Sequence, residues 1–172
     1  EIMPSLVGSE MCIRDRGMGA HRMNVPKELA EYKLERAEIV VYLPADWNIS
    51  DHEEKNYWPL RWLKILARLP LEEDSWLGWG HSVPNGKPFA ENTQLSSVLL
   101  INPENVEEGA AVCQLPNGEE VNFYQMIPLY EEEVNFKIQN GAETLLGKMG
   151  EISAVVDIHR LNVCEGFGRP KE

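Results

Sequence analysis

The stretch from Asn56 to Thr93 constrains the fold more than any other. It carries four of the chain's five tryptophans, Trp58, Trp62, Trp76 and Trp79. In its first half Trp58, Trp62, Leu66 and Leu69 recur at spacings of four, four and three, with Leu63 and Ile65 widening the stripe. That spacing predicts an amphipathic helix. Asn56 is the expected N-cap, and Pro59 is expected in the first turn, where its missing N–H costs nothing. Leu69-Pro70 is the expected stop, because a proline pushes the residue before it out of the helical region. A buried tryptophan removes about 150–250 Å² from water, so two of them on one face mark a core anchor. The second half, Trp76-Leu77-Gly78-Trp79-Gly80-His81-Ser82, interleaves aromatics with glycines. It predicts extended chain passing close to another backbone.

Charge narrows the function classes. The chain carries a formal net charge of −12, which argues against a general phosphate-backbone binder, since such binding rests on Lys and Arg neutralising phosphates. No run reaches the ~18 apolar residues of a membrane helix. Cys12, Cys113 and Cys164 are odd in number and far apart, with no CxxC. A reducing, cytoplasmic location is therefore expected.

Around the tryptophan stretch the chain reads as alternating elements. Glu38–Leu43 is a β-branched run closed by Pro44, and Gln94–Ile101 a second buried strand. Ala110–Leu115 and Val121–Ile127 flank Pro116-Asn117-Gly118, a hairpin signal. Glu131–Met149 is expected as one helix, with Val134, Ile138, Ala142, Leu145 and Met149 on one face and three glutamates in its first turn. Ile152–Val156 is expected as a final strand. The order implies an α+β fold, a mixed or antiparallel sheet with two long helices packed on it. Trp62 and Leu66 are expected to meet Ile39, Val41, Leu99 and Phe123. Residues 1–16 stand apart: SLVGSEMCIRDR resembles a translated sequencing adapter, so this leader is expected to be non-native and to make few contacts. Residues 166–172 are expected to be a frayed tail.

The chemistry-bearing residues form no strong motif. His81 beside Ser82 invites a nucleophile–base reading, but no GxSxG elbow surrounds it. A structural or interface histidine is the favoured role, with no catalytic residue assigned. The alternative is a hydrolase using His81 with a carboxylate such as Glu91. The histidines and cysteines lack metal-ligand spacing, so no metal and no cofactor are expected. Trp76 and Trp79 are not at helical spacing, which leaves core packing and an exposed binding role both open.

Several segments together resemble the suppressor of fused domain. Ala37-Glu38-Ile39-Val40-Val41-Tyr42-Leu43-Pro44-Ala45-Asp46-Trp47 is similar to its "AELvxxLPxxW" segment. Tyr57-Trp58-Pro59, Leu63, Leu66-Ala67, Pro70 and Trp79-Gly80-His81 follow in order. So do Phe123 to Glu133, Gly141 to Leu146, and Asp157 to Arg160, with Gly17-Met18-Gly19-Ala20 similar to an upstream "GMS" turn. The resemblance implies an α+β domain over 17–165, incomplete at its start, with no established catalysis. Animal members restrain zinc-finger transcription factors, and some bacterial members act as immunity proteins against a cognate toxin. The function implied is a non-catalytic protein-binding module of the bacterial single-domain type, regulatory or toxin-neutralising. Its partner would be a protein, with neither nucleic acid nor membrane. The candidate partner-binding residues are Trp76, Trp79, His81, Asp157 and Arg160.

Overall fold

The computed structural model describes residues 2–7, 10–15, 17–104, 106–107, 109–150 and 155–168. Among these, seven strands form one mixed sheet: β1 (Ile2–Val7), β2 (Glu10–Asp15), β3 (Ala37–Pro44), β4 (Ser82–Pro84), β5 (Ser97–Ile101), β6 (Val112–Gln114) and β7 (Glu120–Leu129). The spatial order is β1-β2-β3-β7-β5-β4, with β6 pairing β7 beside β5. β3 and β7 run parallel, and the other pairs are antiparallel. The helices are α1 (Glu54–Glu72), α2 (Glu131–Asn140) and α3 (Ala142–Met149). The fold is α+β, as the sequence implies.

The sheet is covered on both faces, and alternation along its strands sorts the residues. Ile39, Val41 and Leu43 of β3, Val98 and Leu100 of β5, and Tyr124 and Met126 of β7 join Trp58, Trp62, Leu63 and Leu66 of α1. Leu99, Ile101, Ile127 and Leu129 point the other way and meet Val134, Ala142, Leu145 and Met149 of α2 and α3. Two of the expected contacts of α1 are therefore corrected. Leu99 belongs to the opposite face, and Phe123 is only half-buried, outside both clusters. Within the α1 core, Phe89 stacks on Trp58 at 4.6 Å and meets Trp62 edge-on at 5.0 Å. Trp47 completes the group against Trp58 and donates its indole N–H to the Asn56 carbonyl at 2.8 Å.

Both ends of α1 differ from expectation. Its N-cap is Glu53, three residues earlier, because the Asp51 carboxylate accepts the Glu53 N–H at 2.9 Å and the Asn56 amide at 2.6 Å, gathering the chain into the first turn. Pro59 thus lies inside the helix and deprives the Lys55 carbonyl of its donor. The side-chain amide of Asn92 meets that carbonyl at 3.4 Å. Pro70 sits in the last turn without stopping the helix, which ends where Asp74 turns left-handed, at φ 46°.

The expected single helix 131–149 is two. Gly141, at φ 88° and ψ 157°, breaks it and redirects α3. The break rotates the stripe, so Ile138 is 70% exposed while Ala142, Leu145 and Met149 are buried. Of the expected last strand, 151–154 lie outside the described residues; the Val156 N–H bonds the Tyr42 carbonyl at 2.9 Å.

The expectation of few contacts from residues 1–16 is also corrected. β2 pairs along β3 from Glu10↔Pro44 to Arg14↔Val40, and Ile13 is fully buried in the α1 core. At the other end of the chain, Phe167 is half-buried and edge-on to Phe136 at 5.0 Å, and 169–172 lie outside the described residues.

The Gly17–Ala20 turn is held to the sheet by charge. Gly17 and Gly19 donate their N–H groups to Glu38 at 3.1 and 3.0 Å, and Arg36 donates to the Gly19 and Ala20 carbonyls. A Cβ on Gly19 would come within 2.9 Å of Val121, so the close approach requires glycine. Glu119 in the β6–β7 turn takes the Asn117 amide, Arg22 and Arg36.

Two predictions follow from the fold. Trp62→Ala leaves a cavity as well as losing transfer energy and should cost ~3–5 kcal/mol; a urea midpoint equal to wild type would refute this packing. Asn117 first, then Arg22 and Arg36, hold the Glu119 carboxyl down to about 2 from its ordinary 4.5. Its contribution to stability is therefore present above 4.5 and lost as pH falls from there toward about 2. Glu119→Gln should flatten that part of the pH–stability profile, and identical profiles would refute the pairing.

Candidate protein-binding surface

The five candidate residues fall into three places. Arg160 is structural. It is 7% exposed, and its guanidinium grips the fully buried Glu133 of α2 bidentately, at 2.6 Å for one contact. It also donates to the Pro128 carbonyl at 2.8 Å and the Leu161 carbonyl at 3.0 Å. Glu133 accepts the Tyr130 and Val163 N–H groups as well, and the Tyr130 hydroxyl donates to the Arg160 carbonyl at 2.7 Å. Exposed Asp157 accepts the His159 N–H at 2.8 Å, making the turn that sends Arg160 inward. These bonds dock the 157–164 segment onto the end of β7 and the first turn of α2. An open cleft of about 620 Å³ runs past them, between Pro84, Lys87, Glu131, Glu132 and Glu165.

Trp76 and His81 pair with each other. Their rings lie edge to face at 4.3 Å. The Trp76 ring covers Gly78 so closely that a Cβ there would sit 2.6 Å from it. Trp76 is thus half-buried packing at the edge of the α1 core. Burial first, then the neighbouring Lys137 ammonium, push the His81 imidazole below its ordinary value of 6.5, so it is neutral at pH 7. Among the described residues no carboxylate bonds His81, and Glu91 lines a separate cleft of about 710 Å³ with Glu53, Glu54 and Arg61.

Trp79 is the exposed member. The chain turns here rather than running extended: Gly80, at φ 78°, donates to the Leu100 carbonyl at 2.7 Å, and His81 donates back to Gly78 at 3.1 Å. The turn leaves Trp79 40% exposed at the lip of a groove of about 350 Å³. Leu34, Ala111, Val112, Phe123 and Tyr124 supply its apolar walls, and Asn102, Asn122 and Glu143 its polar ones. Sequence reasoning assigned Phe123 to the core and missed Val112 and Glu143. Their convergence depends on β6–β7 pairing and on the Gly141 break, neither of which leaves a local pattern. Among the described residues no cluster of His, Cys, Asp or Glu could hold a metal, and no helix is long and apolar enough to cross a membrane.

One mixed sheet with α1 on one face and α2–α3 on the other defines an α+β domain. The sequence model of the suppressor of fused protein matches residues 16–161, and the chain belongs to that family. An uncharacterized protein of Ureaplasma parvum is 28% identical over 145 residues, covering 84% of this chain and 69% of the relative. The suppressor of fused homolog of Neisseria gonorrhoeae superposes with a TM-score of 0.65 at 16% identity, over 94% of this chain and 76% of that one. Drosophila Suppressor of Fused gives a TM-score of 0.65 at 16% identity, and a chain of the Sufu–Fu complex 0.64 at 16%. The match covers 92% of this chain in both, but only 40% of the Drosophila chain and 71% of that in the complex.

The buried pair yields a prediction. Arg160→Met strands an uncompensated charge and should cost ~3–5 kcal/mol. Adding Glu133→Gln removes that charge and should recover part of the loss. If R160M melts with wild type, the pair does not hold the segment.

Proposed function

We propose that the chain is a protein-binding module without catalysis of its own, acting in the cytoplasm through its 17–165 domain. The specific role proposed is neutralisation of a cognate toxin, within the broader role of regulating a partner protein. The observation that carries the reading is Trp79: a large aromatic left exposed beside an apolar groove, on a fold whose relatives include a chain of the Sufu–Fu complex. Tryptophan is enriched among the few residues that dominate binding energy at protein interfaces. The net charge of −12 favours a protein partner over nucleic acid. The Arg160 network holds the 157–164 segment in place beside the first turn of α2, leaving Asp157 exposed as a second candidate contact.

Trp79→Ala should leave the melting temperature within error of wild type, because the ring sits at a surface lip. It should weaken partner capture at least ten-fold, the order expected when an aromatic anchor is truncated. The toxin role is tested by co-expressing this protein with a growth-arresting protein encoded beside it. Growth should be rescued by wild type and not by W79A. Equal rescue by both would remove Trp79 from the interface, and rescue by neither would remove the toxin role.

A further inference from the structure

Three residues past Trp79, Ser82 at the start of β4 meets a cation from α2 that no acid among the described residues offsets. Lys137 of α2 is half-buried and donates its ammonium to the Ser82 hydroxyl at 3.2 Å. The chain has 28 acidic residues against 16 basic ones, yet among the described residues no carboxylate lies within ion-pair distance of Lys137. Burial alone lowers its pKa, with no neighbouring acid pulling it back up. A lysine usually lays its stem along apolar surface and keeps its ammonium in water; this ammonium is held to a hydroxyl at the sheet edge.

The edge contributes a second group. β4 is the last strand in the sheet order. Leu100 donates to the His81 carbonyl and Asn85 to the Ser96 carbonyl, so the odd-numbered residues of the strand turn their backbone groups toward β5. By antiparallel alternation the backbone N–H of Ser82 faces away from the sheet. Ser82 therefore presents a hydroxyl, which Lys137 meets, and an N–H directed outward at the sheet edge. An ammonium with two such donors is a receptor for an anionic oxygen pair. The chain leads from here to the groove: Gly80, two residues before Ser82, packs toward Ala142, and their neighbours Trp79 and Glu143 line it.

We propose that Lys137 and Ser82 receive the carboxylate of an acidic residue in a partner segment whose neighbouring apolar side chain fills the Trp79 groove. The proposal rests on the protein-binding reading above and names the chemistry of the bound segment. The occupant is an Asp or Glu beside a large apolar residue. Its carboxylate supplies the ion pair that Lys137 lacks, and the net charge of −12 disfavours non-specific capture of such a segment.

The test is selection of a random-peptide display library on the immobilised full-length protein. Enriched peptides should carry Asp or Glu beside an aromatic or branched apolar residue. They should bind Lys137→Met about ten-fold more weakly, the order of a lost charged hydrogen bond, and keep most of their affinity for Lys137→Arg. Ser82→Ala, which keeps the charge, should give a smaller loss, and circular dichroism melts should show all three variants folded as wild type. Peptides that need Trp79 but lack an acidic residue and ignore Lys137→Met would overturn this inference while leaving the groove as the binding site. Peptides indifferent to Trp79→Ala, or no enrichment, would overturn both.

Discussion

β7 has to serve two cores at once, and the rest of the molecule is arranged around that constraint. Its even-numbered Tyr124 and Met126 face the tryptophans of α1, while Ile127 and Leu129 face α2 and α3. A strand buried on both faces cannot show the apolar–polar alternation of a half-exposed one. The same strand takes β3 in parallel on one side and β5 and β6 on the other. Its two ends then define the two surfaces of interest. At the start, where β6 pairs, Phe123 and Tyr124 wall the Trp79 groove. At the finish, the Pro128 carbonyl takes Arg160 and the chain turns directly into α2.

The buried Arg160–Glu133 pair is the device that closes this arrangement. Two desolvated charges gain little over apolar residues of the same volume, so the pair is better explained by what it orients. Glu133 collects Arg160, the Tyr130 N–H and the Val163 N–H on one carboxylate. That locks the first turn of α2 and the 157–164 segment in one relative position, over the end of a strand whose other end carries the groove.

Local periodicity made much of this legible. Trp58, Trp62, Leu63 and Leu66 are at helical spacing and are buried together; the run Glu38–Leu43 is β3; Pro116-Asn117-Gly118 turns the hairpin. What periodicity cannot supply is parity. A continuous apolar run such as Val98-Leu99-Leu100-Ile101 says that both faces are buried without saying which residue meets which helix. The assignment of Leu99 and Phe123 to α1 failed for that reason. The helix 131–149 was read through Gly141 because Ile138, Ala142 and Leu145 keep register in sequence. A positive φ at one glycine breaks the register in space, and Ile138 pays with exposure. Pro70 misled differently: at the last turn of a helix its missing N–H costs one bond, which packing of Leu66 and Pro70 in the core offsets. The pairing of β2 with β3 has a like cause. An uncovered edge of β3 is a row of unpaired N–H and C=O groups, and Glu10–Asp15 can satisfy it whatever its resemblance says of its origin.

The candidate site was legible only in its aromatic half. Trp76 and Trp79 sit three residues apart with glycines around them, and composition alone treats them alike. They diverge because Gly78 has no side chain and lets the Trp76 ring pack close against the backbone, while Gly80 takes a positive φ in the turn that leaves Trp79 exposed. One glycine buries a tryptophan and the next exposes one. The polar half was not legible, since Lys137 meets Ser82 across 55 residues of sequence and neither residue belongs to a motif. The meeting follows from register: β4 pairs with β5, β5 with β7, and α2 leaves β7 almost at once, so the last turn of α2 has to pass the outer edge of the sheet. A lysine there is suited to the negative end of the helix dipole, which lets a cation stand at the edge of a strongly acidic domain with its charge unspent.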